Sequence, residues 1–202
     1  MKNRQKVHIQ LHSEIVPLSD GAFPPGSEME QLFDEYYGDA PDDGGADAPP
    51  PGYVQENGES ESIRLDTYGM LTDDGKTVKL SYSEESLEGL EGCIASVIFE
   101  HDSPWLISML RSGKVSTAMV FNGRDKRQIC SYDTGDTPPF EITVCTRRIV
   151  NELKLGGGRL ELEYWVELRG VRVKLNRITL DVTPAVPSPL ERHLDDAQSL
   201  PS

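Results

Sequence analysis

The sequence predicts an all-β protein: a closed antiparallel up-and-down barrel of about ten strands, with a long acidic insertion after the first. Three observations predict it. From Glu59 to Thr183 apolar and polar residues alternate with a period of two, the period of a half-buried strand. The breaks between alternating runs are short and rich in Gly, Asn, Asp, Ser and Pro, so successive strands pair antiparallel through tight turns. No break is long enough for a crossover helix, and a meander of this length removes its exposed edges by closing on itself.

The elements follow in chain order. Val7, Ile9, Leu11 and Ile15 share one face of a first strand, their neighbours His8, Gln10, His12 and Glu14 share the other, and Pro17 ends it. Residues 18–58 break the alternation with an Asp-, Gly-, Pro- and Ala-rich stretch too poor in apolar side chains to offset chain entropy, so disorder is expected. Within it Ser27 and Glu30 form a capping-box pair ahead of Met29, Leu32, Phe33 and Tyr36, which predicts a short amphipathic helix over 28–37. Alternation resumes at Ile63, Leu65, Thr67, Gly69 and Leu71. It turns at Asp73–Lys76 and continues as Val78, Leu80, Tyr82 and Glu84. A loop over Ser86–Gly92 leads to a strand from Cys93 to Glu100, and the next run carries Trp105, Ile107, Met109 and Arg111. Ser112-Gly113-Lys114 is a tight hairpin into Val115, Thr117, Met119 and Phe121. After the turn at Asn122–Asp125, Gln128–Thr134 forms a strand of ambiguous facing, because Ile129 and Cys130 lie on opposite sides. Phe140, Ile142, Val144 and Thr146 alternate, Gly156–Gly158 turns the chain, and Leu160, Leu162, Tyr164, Val166 and Leu168 follow. Past Gly170 the run Val171, Val173, Leu175 slips by one at Asn176 and Arg177 before Ile178, Leu180 and Val182, which predicts a β-bulge there. Residues 184–202 form a Pro-rich tail.

At 202 residues the chain suits one domain with a sizeable core. The net charge of -14 is unevenly placed. Of 34 acidic and 20 basic residues, ten acids and no base lie between Leu18 and Gly58, and three acids and one base lie beyond Pro184. The remainder, 21 acids against 19 bases, is near neutral. This distribution argues against a nucleic-acid backbone as partner. Cys93, Cys130 and Cys145 have no zinc-finger spacing and read as reduced thiols. The N-terminal stretch alternates like a strand and lacks the apolar centre of a signal peptide, and no apolar run spans a membrane. The expectation is a soluble cytoplasmic protein.

Parity carries the functional reading. If the apolar face points inward, so do Tyr82, Glu84, Arg111, Thr146 and Tyr164, with Tyr132 left open by its ambiguous strand. A buried guanidinium needs a partner, and Glu84 is the obvious one for Arg111. These six residues admit two readings. One is a small-ligand cavity with apolar walls and a few polar groups that orient an anionic or carbonyl head group. The other is a structural ion pair and tyrosine hydroxyls plugging one end of the barrel. His8 and His12 are about 13 Å apart along a strand, too far to share a metal. Gly156–Gly158 lacks the Lys-Ser/Thr of a phosphate loop, and no nucleophile or metalloprotease motif occurs. Tyr132 and Trp165 have no basic flanks in the sequence, which argues against nucleotide stacking.

The segments SYSEES (Ser81–Ser86), LRSG (Leu110–Gly113), AMVF (Ala118–Phe121), SYDTGD (Ser131–Asp136), TRRI (Thr146–Ile149) and GGRLELEY (Gly157–Tyr164) resemble, in this order, those of the YwiB-like proteins, a bacterial family of unknown function. The resemblance covers the first strand and Glu59–Thr183. It implies a calycin-like barrel, related in shape to lipocalins and fatty-acid-binding proteins, in a bacterial cytoplasm. It implies no reaction and carries over no catalytic residue; the acidic insertion and the tail depart from the compact family pattern. In fatty-acid-binding barrels a helical lid lies between the first two strands, the place of this insertion.

The expectation is a binding protein, not an enzyme. It holds a small apolar or amphiphilic ligand inside the barrel at Tyr82, Glu84, Arg111, Tyr132, Thr146 and Tyr164, with no cofactor and no metal. The alternative is a protein–protein interaction module acting through the acidic insertion.

Overall fold

The computed structural model describes residues 3–17, 60–135 and 138–185. Ten strands form: β1 (Asn3–Pro17), β2 (Glu61–Asp73), β3 (Thr77–Ser83), β4 (Ile94–Glu100), β5 (Leu106–Ser112), β6 (Ser116–Asn122), β7 (Arg127–Asp133), β8 (Phe140–Asn151), β9 (Gly158–Leu168) and β10 (Val171–Pro184). Consecutive strands pair antiparallel, and β1 pairs β10 from Val7↔Pro184 to Pro17↔Lys174, closing the barrel in the order the alternation predicts. No helix occurs among the described residues. The expected helix over 28–37, the rest of the insertion and the tail past 185 lie outside them. β10 runs to Pro184, and the Ala185 N–H donates to the Lys6 carbonyl at 3.0 Å, so the tail begins slightly later than the sequence suggests.

The interior is built from the predicted apolar faces. Val7, Ile9, Leu71, Val78, Leu80, Val97, Ile107, Phe121, Val144, Leu160 and Leu180 are completely buried and belong to one contiguous core. Tyr132 shares the face of the buried Cys130, while Ile129 points outward at 71% exposure, which resolves the ambiguous strand. His8 and His12 face outward as expected; their Nε2 atoms meet Asp66 Oδ1 at 2.7 Å and Ser62 Oγ at 3.0 Å. The three cysteines are free thiols, Cys93 and Cys130 buried and Cys145 half-buried.

Three irregularities shape what faces inward. The bulge in β10 lies at Arg172–Lys174, not at Asn176–Arg177. Leu175 therefore pairs with Trp165 on the outer face, while Lys174 pairs with Val166 and Asn176 with Tyr164 on the inner one. A second bulge, between Thr146 and Arg148, carries β8 on to Asn151, well past the alternating run. The third is a short seam: β6 and β7 pair only at Ser116↔Asp133, Thr117↔Tyr132 and Ala118↔Ser131. Past it, side chains replace the missing ladder acceptors. The Val120 N–H donates to Cys130 Sγ at 3.4 Å and the Asn122 N–H to Thr146 Oγ1 at 3.1 Å.

The outer face of β8, β9, β10 and β1 carries a ladder of ion pairs. Arg147 meets Glu163 at 2.9 Å, Arg148 meets Glu161 at 3.3 Å, and Arg177 bridges Glu14 at 2.9 Å and Glu163 at 3.2 Å. Each such exposed pair contributes at most about 1 kcal/mol. Trp165 sits under two guanidiniums, Arg147 at 4.6 Å and Arg172 at 3.8 Å, so folding supplies the basic flanks its sequence neighbours lack.

Candidate ligand-binding site

The barrel has two mouths. At one, β1, β3, β5, β7 and β9 end and the even-numbered strands begin. The chain leaves β1 and re-enters β2 at this mouth. Glu84, Arg111 and Tyr132 lie here at the ends of their apolar runs, while Tyr164 sits within one.

One row of register partners crosses seven of the ten strands: Gly69↔Tyr82↔Ala95↔Arg111↔Thr117↔Tyr132↔Phe140. Two small residues in this row make space. Gly69 has ordinary strand geometry, but a Cβ on it would lie 2.5 Å from the Ser81 carbonyl oxygen, 2.6 Å from Ile9 Cδ1 and 3.2 Å from Tyr82 Cβ. Ala95 stands between β3 and β5, and Arg111 reaches toward β3 across it.

Glu84 lies one residue beyond β3 and keeps its inward parity. Its N–H donates to the Cys93 carbonyl at 3.0 Å and its carbonyl accepts the Leu87 N–H at 2.9 Å, so the loop backbone holds it in place. Arg111 donates Nε–H to Glu84 Oε2 at 2.5 Å and Nη2–H to Oε1 at 3.0 Å, a bidentate pair. The carboxylate side chain is 4% exposed and the guanidinium side chain 23%. Burial opposes the charge on Arg111, but the hydrogen bond and charge of Glu84 outweigh it, and the net effect holds the guanidinium more firmly protonated.

The tyrosines surround this pair. Burial pushes the Tyr82 phenol well above its ordinary range; the Glu84 charge adds to the rise and Arg111 opposes it. The Tyr82 hydroxyl is buried and has no hydrogen-bond partner among the described residues. Tyr164 is likewise pushed up by burial, with Arg111 near enough to oppose the shift, and its ring meets Phe121 edge-on at 4.8 Å. Tyr132 is half-buried with its ring 5.3 Å from Phe140. Thr146 does not join the cluster. Its hydroxyl oxygen is engaged by the Asn122 N–H and its own N–H by the Lys126 carbonyl at 2.7 Å, which makes it a clasp between β6 and β8.

Two inward polar residues at this mouth escaped the sequence reading. Asn176 is buried, and its Nδ2 has no partner among the described residues. Lys174 is half-buried on the same face, its ammonium pushed down by burial against a weaker opposing pull from Glu61. Misplacing the bulge hid both, since a slip at Asn176–Arg177 leaves Lys174 outside. Tyr82, Glu84, Arg111, Tyr132 and Tyr164 interact as one polar crown, Asn176 adjoins it as the register partner of Tyr164, and Lys174 lies two residues along the same face. Among the described residues no group of three or more His, Cys, Asp or Glu side chains is placed to hold a metal ion. Two open hollows of about 430 and 450 Å³ lie elsewhere; of the six predicted residues only Thr146 lines either.

Comparison with known proteins agrees with this architecture. The sequence profile of DUF1934, a domain of unknown function, matches residues 52–180. The structure is similar to the crystal structure of the ywiB protein from Bacillus subtilis, with a TM-score of 0.58 and 19% identity over 90% of this chain and 94% of that one. At that identity the likeness shows the fold. No curated protein matches.

Proposed function

We propose that this chain, which belongs to the DUF1934 family of domains of unknown function, binds a small amphiphilic ligand at the crowned mouth of its barrel, with an anionic or carbonyl head group pointing inward. One observation carries the reading. The Tyr82 hydroxyl and the Asn176 amide nitrogen are both buried, both inward and both without a partner among the described residues. Leaving a buried donor unpaired costs about 1–3 kcal/mol. Two such donors at one mouth, beside Arg111, are satisfied together by a ligand that brings acceptor oxygens. The partly buried Tyr132, Val166 and Leu168 and the exposed edge of Phe140 supply apolar contact for the rest of the molecule.

The role is binding and not turnover. The Tyr82 and Tyr164 phenols stay protonated because burial penalises their anions, and both Glu84 oxygens accept hydrogen bonds from Arg111. A group so engaged orients a head group more readily than it moves a proton.

The test uses the intact protein with straight-chain carboxylates from octanoate to palmitate, read by native mass spectrometry and thermal shift. A one-to-one adduct and a saturable rise in Tm, weakened tenfold or more in Tyr82→Phe and Asn176→Leu, support the reading. No adduct across the series, together with a Tyr82→Phe variant more stable than the parent, would show that the two donors are merely unpaired.

A further inference from the structure

At the opposite mouth, where β5 and β7 begin and β6 and β8 end, one of the open hollows has a lining rich in cations. In a regular strand consecutive residues face opposite sides. The bulge between Thr146 and Arg148 suspends that rule, and the consecutive Arg147 and Arg148 both emerge outward, 42% and 65% exposed, to line the hollow of about 430 Å³. Lys126 lines it too, anchored by its backbone where its carbonyl accepts the Thr146 N–H. Among the described residues no carboxylate lines it. The acids that pair with the two arginines, Glu163 and Glu161, stand on β9 behind them. Each holds its guanidinium in place through one ion pair, while a guanidinium presents five N–H donors in a planar fork. Trp105 forms a wall of the hollow, and the Arg124 guanidinium carbon sits over the indole, 3.6 Å from its ring centroid. Asn151 completes the rim, its amide donating to the Pro104 carbonyl at 3.2 Å.

We propose that this hollow is a second binding site, which takes a small phosphate ester carrying a flat ring: the phosphate on Lys126, Arg147 and Arg148, the ring against the Arg124–Trp105 stack. Phosphate is the favoured anion because several forked cations converge on one hollow, an arrangement suited to an oxygen-rich dianion. The Arg–Trp stack offers a planar, polarisable surface of the kind on which rings stack. The bulge specifies the site: without it one of the two arginines would point into the apolar core.

The probes are adenosine 5′-monophosphate, inorganic phosphate, and phosphatidylcholine vesicles containing phosphatidic acid, each applied to the full chain. Amide and arginine-side-chain NMR shifts follow the two soluble probes, and co-sedimentation follows the vesicles. Adenosine 5′-monophosphate is expected to saturate the Trp105 indole N–H and the Arg148 Nε–H shifts at least tenfold more tightly than inorganic phosphate. The combined Lys126→Ala and Arg148→Ala variant should lose this response. Both residues are surface-exposed, so that variant should keep its Tm within about 2 °C. Vesicle binding that the variant abolishes, without a response to the nucleotide, would place the phosphate on a lipid head group and overturn the ring-bearing ester. The proposal is overturned by no saturable response to any probe, by shifts that sodium chloride reproduces at equal ionic strength, or by binding that survives in the variant.

Discussion

The Arg111–Glu84 pair gives the sharpest quantitative test of the barrel mouth. The two partners are unequally buried: the Glu84 side chain is 4% exposed and that of Arg111 23%. Arg111→Leu strands a carboxylate that has no route to water, and breaking a buried pair in this way costs about 3–5 kcal/mol. Glu84→Leu strands a guanidinium that reaches solvent along its exposed edge, so the loss should fall toward the hydrogen-bond range of about 1–3 kcal/mol. For a chain of this size each kcal/mol moves Tm by roughly 2–4 °C. Arg111→Leu should therefore lower Tm by about 6–20 °C, and Glu84→Leu by clearly less. The double variant removes both charges and leaves an apolar plug, which is close to neutral in comparable replacements. With the double variant near neutral, the double-mutant cycle should return a coupling close to the sum of the two single losses, about 4–8 kcal/mol, measured by urea unfolding at constant m-value. Additive losses, or a Glu84→Leu variant less stable than Arg111→Leu, would refute the argument that burial of the carboxylate sets the energetics of this mouth.

Two further outcomes follow from geometry and charge. Gly69→Ala forces a methyl into the Ser81 carbonyl and the Ile9 side chain, so Tm should fall by several degrees, and Ile9→Val in the same chain should recover part of the loss because the tip of Ile9 is one of the two obstacles. Asp73 is held below the ordinary carboxylate range, chiefly by its hydrogen bond to His101 and then by the Gly75 N–H. A depressed folded pKa contributes stability above the unfolded value of about 3.9 that is lost as pH falls through the folded value. Asp73→Asn should thus unfold more readily than the parent at pH 6, and the two acid-unfolding curves should converge as pH falls through the depressed folded value; a constant offset down to the lowest pH would contradict the assignment.

Much of this barrel is legible in the chain itself because strand parity is a local property. Side chains two apart share a face whatever lies beside them, so alternation alone places Tyr82, Glu84, Arg111 and Tyr164 inside and His8 and His12 outside. The turns are equally local: Gly113 at φ 143° closes the β5–β6 hairpin, and the Asn122 side chain accepts the Arg124 and Asp125 N–H groups at 2.9 and 3.1 Å. Chain-local information fails where a strand chooses between two registers. In β10 a slip at Arg172–Lys174 and one at Asn176–Arg177 both keep Ile178, Leu180 and Val182 inside; pairing with β9 selects the first, which turns Lys174 and Asn176 inward and Leu175 out beside Trp165. The β8 bulge that exposes Arg147 and Arg148 together likewise depends on β9. The role of Thr146 depends on β6, whose Asn122 N–H has lost its place in the ladder and takes the threonine oxygen instead. Facing and turns are thus determined residue by residue along the chain. Register, bulge position and the partner each inward polar group finds are decided by strands far apart in sequence, because a one-residue shift in pairing reverses every side chain that follows it.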